Sequence, residues 1–76
     1  MDRLIEILED CCPGVDFRAE KRLVDDEIID SFDIVMIVGE LTEQYGVKIS
    51  VDDLLPENFN SVEGIYAVLN RYLAEE

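Results

Sequence analysis

The sequence predicts an all-α protein, a small four-helix bundle with three main helices, one short helix and a long first loop. Apolar residues recur at three- and four-residue spacings in three separate segments. Cap-type residues stand at the ends of those segments, among them Asp30, Gly46 and Asn60. The one alternating stretch, VKISV from Val47 to Val51, would be a lone strand with nothing to pair with.

The first helix is expected over residues 2–12. Leu4, Ile5, Leu8, Cys11 and Cys12 fall on its inner face, Asp2 serves as N-cap, and Pro13-Gly14 ends it. A connection from about Val15 to Ile29 lacks periodicity but carries Phe17, Leu23, Ile28 and Ile29, which should anchor it to the core, because a loop of that length rarely lacks packing or function. The second helix runs from Ser31 to about Tyr45, with Asp30 as N-cap and Asp33 supporting the first turn. Ile34, Ile37, Val38, Leu41 and Tyr45 face inward, and Gly46 is the C-terminal stop. Asp52 to Leu55 suggests one short turn ended by Pro56. Asn60-Ser61-Val62-Glu63 opens the last helix as a capping-box variant, with Asn60 as cap and Glu63 reaching back. Its inner face would be Val62, Ile65, Tyr66, Leu69 and Leu73.

At 76 residues the chain reads as a single domain spanning residues 1–76, near the lower limit for folding without staples. About half the residues are hydrophobic, enough for one small core and too many for a disordered acidic tail. Nineteen acids oppose six bases, a net charge of −13. Such a field repels nucleic acid and anionic membranes and favours partners with basic surfaces. No apolar run reaches the length of a membrane span and no basic leader precedes one, so the expected location is cytoplasmic and the expected state a monomer. Cys11 and Cys12 are sequence neighbours; a bond between them would be strained, and without histidine they make no zinc site. They read as reduced thiols at the end of a helix.

Catalytic arrangements fail on composition. No histidine is present, which removes histidine triads, relays and metal centres, and no glycine-rich phosphate loop exists. A calcium loop counted from Asp25 places Asp30 where glycine is needed and Met36 where glutamate is needed. No metal site and no enzymatic activity are expected. What remains is Ser31, at the start of a helix whose open N–H groups and dipole favour a phosphate ester there. An ordinary helix-start serine would look the same.

Asp30-Ser31-Phe32, at the start of the second helix, resembles the Asp-Ser-Leu attachment motif of acyl carrier proteins. The small size, the acidity, the long preceding loop and the Asn60-Ser61-Val62-Glu63 opening extend that resemblance over essentially the whole chain. The resemblance implies that a phosphopantetheinyl transferase moves 4′-phosphopantetheine from coenzyme A to Ser31, with Asp30 helping to hold magnesium during the transfer. It also implies that the arm carries acyl groups as thioesters to enzymes of fatty-acid or related biosynthesis. Partners, the transferase and the loading synthases or ligases, would dock on Phe32, Asp33, Met36, Glu40 and Glu43 of helix two. Phe32 in place of leucine, Ile28-Ile29 in place of a small residue and Met36 in place of an acid depart from the fatty-acid carriers. Asp-Ser-Phe and PENFNSVEGI (Pro56–Ile65) are also similar to D-alanyl carrier proteins, so a D-alanyl or other aminoacyl carrier is the alternative. A reading from another class is an unmodified acidic interaction module, against which the apolar residues clustered around Ser31 count.

A net charge of −13 on so small a body makes self-repulsion a substantial destabilising term. The melting temperature should rise from low to moderate ionic strength, with magnesium more effective than sodium at equal ionic strength. A scanning calorimeter reads this directly, and a flat or falling series would show that the acids are better paired than their number implies.

Overall fold

The computed structural model describes residues 2–74. In chain order it contains α1 (Asp2–Cys11), α2 (Ser31–Tyr45), a 3₁₀ turn (Val51–Asp53), α3 (Pro56–Phe59) and α4 (Val62–Ala74). No strand occurs among the described residues, so VKISV is an extended connection. α1 packs against α2 and α4, and α3 packs against α4. Arg3, near the start of α1, donates to the Gln44 side chain at 2.9 Å and lies over the Tyr45 ring near the end of α2. The two helices are therefore antiparallel.

Apolar periodicity explains α1: Leu4, Ile5, Ile7 and Leu8 are buried, and Cys12, one residue past the helix, is buried with them. Cys11 stays partly exposed. Asp2 belongs to the first helical turn rather than standing before it as a cap. α2 has the expected bounds. Asp30, in extended conformation, accepts from the Asp33 amide while the Asp33 carboxylate accepts from the Asp30 amide, a reciprocal capping box. Gly46 ends the helix in the left-handed conformation (φ 71°), its N–H donating to the Thr42 carbonyl. Ile34, Ile37 and Leu41 are buried; Val38 and Tyr45 are half-buried at the margin.

The third region departs from expectation. A 3₁₀ turn forms first, capped by the Ser50 hydroxyl accepting from the Asp52 amide. Pro56 then starts α3 instead of ending a helix, because proline at the first helical position loses no hydrogen bond and arrives with its φ set. α3 exists to bring Phe59 inward, where it is fully buried. α4 is capped by Ser61, whose hydroxyl accepts from the Gly64 amide, and not by Asn60. Glu63 does not close a capping box; it pairs with Lys21 of the first loop at 2.6 Å. Val68 joins Val62, Ile65 and Leu69 inside, whereas Tyr66 and Leu73 remain exposed.

Asn60 is diverted to a different task. Its carboxamide oxygen accepts from the Val24 and Asp25 amides, both at 3.0 Å, its NH₂ donates to the Asp25 carboxylate, and its carbonyl accepts from the Leu23 amide at 2.8 Å. One residue thus holds the long first connection onto the α3–α4 corner. Within that connection, Glu27 takes a left-handed conformation (φ 58°), and the reversal lets the Ile28 and Ile29 amides both reach the Leu23 carbonyl. Phe17, Leu23 and Ile29 are consequently buried, and Ile28 is half-buried. The Cα radius of gyration, 11.2 Å, matches the value of about 11 Å for a compact chain of this length, so the connection lies on the body of the protein.

Asn60→Ala removes the acceptor for two loop amides and should destabilise the fold by about 1–3 kcal/mol. Lys21→Ala, which breaks only an exposed ion pair with Glu63, should have no resolvable effect in the same urea titration. Equal midpoints for parent and Asn60→Ala would show that Asn60 does not clamp the connection.

Candidate functional site

The site is built at the N-terminus of α2. Ile29 is buried and fixes the approach of the chain; Asp30 and Asp33 lock the first turn through bonds of 3.0 and 3.2 Å. Between them Ser31 is the first helical residue and is exposed. Its hydroxyl joins none of the side-chain hydrogen bonds among the described residues, in contrast to Ser50 and Ser61, whose hydroxyls both cap turns. The Asp33 amide is taken by the Asp30 carboxylate and the Ile34 amide by the Asp30 carbonyl, leaving the Ser31 and Phe32 amides as the open donors of the turn.

The docking residues expected from the sequence lie together on α2. Phe32 is 69% exposed and Met36 37% exposed; Asp33 and Glu40 are half-buried, and Glu43 is exposed. Val35, 61% exposed, belongs to the same apolar surface and was not anticipated. The signal for it was available: Val35 lies three residues after Phe32, and α2 is apolar around most of its circumference, so one of its apolar faces had to be left uncovered. Beyond Met36, an open groove of about 640 Å³ lies between the end of α1 and α2, lined by Asp10 and Cys11 from one helix and Met36, Gly39, Glu40 and Glu43 from the other. The α1 residues of this groove were also not anticipated, because only the antiparallel packing brings them to α2.

Acidic surroundings bear on the cysteines that flank the site. Burial, then the charge of Asp33, pushes the Cys12 thiol up to about 11. Burial, then the charge of Glu40, raises Cys11 as well. Both are protonated at neutral pH.

These features suit a phosphodiester-linked arm on a serine. An exposed, unbonded hydroxyl is open to an incoming enzyme, the open amides and helix dipole sit beside it, and the capping box holds the turn without using the hydroxyl. Among the described residues no three ligating side chains are arranged to hold a metal ion, and no helix is long and apolar enough to cross a membrane.

Comparison with known proteins gives one match. The family model described as a phosphopantetheine attachment site covers residues 2–69. No curated protein and no solved structure matches the chain. With nearly the whole chain covered, the protein belongs to the phosphopantetheine attachment-site family and is a carrier of the covalent 4′-phosphopantetheine group.

Proposed function

We propose that Ser31 bears the arm and that the protein is an acyl carrier, presenting acyl intermediates as thioesters to partner enzymes of fatty-acid or related biosynthesis. The observation that carries this reading is the Ser31 hydroxyl, exposed and unbonded at the first position of a helix whose capping box is closed without it. Attachment forms a bond between the Ser31 oxygen and phosphorus and breaks the pyrophosphate of coenzyme A. The hydroxyl proton passes to a base on the transferase, and the adenosine bisphosphate half leaves. Asp30 keeps one carboxylate oxygen on the Asp33 amide, and its other oxygen would help to hold the magnesium ion used in the transfer, neutralising charge on the phosphate. The bound group supplies a terminal thiol that forms thioesters. The chain itself contributes display and docking and performs no catalysis.

Phe32, Asp33, Met36, Glu40 and Glu43 form the docking surface of this carrier. Acids set the encounter rate with basic partners, and the apolar residues set which partner stays. The partners are the transferase and the synthase or ligase that loads the arm. The protein acts as a single-domain monomer in the cytoplasm, where coenzyme A and a reducing environment meet its free cysteines. A D-alanyl or other aminoacyl carrier is the second reading, supported by Phe32 in the motif and by an α2 surface that is apolar at Val35 and Met36. An acyl-carrier synthetase and an amino-acid adenylating ligase, offered to the same loaded protein, distinguish the two cargoes.

Incubation with coenzyme A, magnesium and a broad-specificity phosphopantetheinyl transferase should add one arm per chain, read by intact-protein mass. Ser31→Ala should abolish the addition with the helical circular-dichroism spectrum unchanged; an arm that still appears, on Ser50 or Ser61, would sink the assignment.

Met36→Glu should lower the rate of loading by the cognate enzyme about tenfold, as loss of an apolar anchor does. Glu43→Gln should slow association chiefly at low salt. Loading kinetics at two ionic strengths check both, and a Met36→Glu protein that loads like the parent would reduce Met36 to ordinary surface.

A further inference from the structure

Gly39 sits in the middle of α2, with six or more helical residues on either side. Glycine there costs about 1 kcal/mol of helix stability relative to alanine. The usual structural reason for bearing that cost is a close neighbour that a side chain would strike. Here there is none: a Cβ built on Gly39 meets nothing within 4 Å. By contrast, a Cβ on Gly64 would meet the Asn58 carbonyl oxygen at 2.9 Å, so that glycine is explained by packing. Gly39 has a helical backbone, so it needs no left-handed conformation either, unlike Gly14 and Gly46.

The missing side chain keeps open the groove between α1 and α2, about 640 Å³ in volume. Phe32, Met36, Gly39 and Glu43 follow one another at four-, three- and four-residue steps, one stripe down the helix from the turn that holds Ser31. Its upper part is apolar and exposed at Phe32 and Met36, with Val35 alongside. Its lower part is the groove, where Cys11 and Met36 supply sulfur-bearing, partly apolar walls and Asp10, Glu40 and Glu43 supply carboxylates. No lysine or arginine lines the groove, and the four ion pairs among the described residues involve none of these three acids.

We propose that this groove, with Gly39 as its floor, receives an apolar side chain flanked by arginine or lysine on a partner protein, and that α1 is thereby part of the docking surface. Charge complementarity selects that occupant: an apolar anchor fits the space the glycine leaves, and flanking cations meet carboxylates contributed by both helices. An anionic ligand would be repelled by the rim, and an uncharged fatty chain would leave its three carboxylates without a counter-charge. The proposal rests on the carrier reading above, because the partner it describes is one that works on an arm at Ser31. It adds a specificity determinant remote from the attachment motif, roughly 12 Å along the helix at 1.5 Å per residue.

The experiment uses nitrogen-15-labelled protein and a helical peptide carrying leucine at two positions four apart, flanked by arginines. A second peptide of identical charge has both leucines replaced by serine. In the parent protein the leucine peptide should shift the amides of Cys11, Met36, Gly39 and Glu40 saturably, ahead of the other acidic positions. Gly39→Leu leaves the net charge unchanged, improves helix propensity and fills the groove. It should melt no lower than the parent and bind the leucine peptide about tenfold or more weakly. Equal affinity of parent and Gly39→Leu, equal binding of the two peptides, or shifts spread evenly over the acidic surface would each overturn the groove. Ser31→Ala should bind the peptide as the parent does while losing arm attachment, so failure of the groove and failure of the attachment assignment are read separately.

Discussion

The long connection between α1 and α2 must be pinned to the α3–α4 corner, and most of the molecule follows from that requirement. The helices of a 76-residue chain do not close the core by themselves, and Phe17, Leu23 and Ile29 of the connection complete it. Asn60 fastens that segment by four hydrogen bonds, one of them through its own backbone carbonyl. Burial of Ile29 then determines where Asp30 begins the next helix. The position of Ser31 is therefore inherited from a polar contact made by a residue 29 places further along the chain.

Around Ser31 two demands compete. A helix start attracts anions through its amides and dipole, while Asp30 and Asp33 repel a further negative charge. The capping box reconciles them by directing one oxygen of each carboxylate back onto the turn. The turn is closed by both carboxylates and the hydroxyl remains free, which suits the attachment proposed for Ser31.

Much of this was legible in the chain. α2 could be bounded from Asp30, Asp33 and Gly46 because each of these residues has a local job that does not depend on the rest of the fold. Phe17, Leu23 and Ile29 could be recognised as anchors because apolar residues in an aperiodic stretch have nowhere else to go. Asn60 misled for a physical reason: asparagine before a helix is a good cap, but here its carboxamide finds two loop amides that only the tertiary structure brings near, and Ser61 takes over the cap. Pro56 misled because proline both ends helices and begins them. Tyr66 and Leu73 have the right spacing for the core, yet Val68 is the one that faces it, since the inner arc of α4 is set by packing against α1 and α3. The groove beside Gly39 was out of reach of the sequence because two of its six lining residues, Asp10 and Cys11, come from α1.

The raised thiols of Cys11 and Cys12 bear on how safely a thioester can be held. Acyl groups move between sulfurs only when the receiving sulfur is ionised. A carrier with a reactive cysteine beside its own arm would acylate itself and lose its load to a dead end. Burial first, and the surrounding carboxylates second, raise both side-chain sulfurs further from ionisation, which disfavours acyl transfer onto them from an arm of the kind proposed at Ser31.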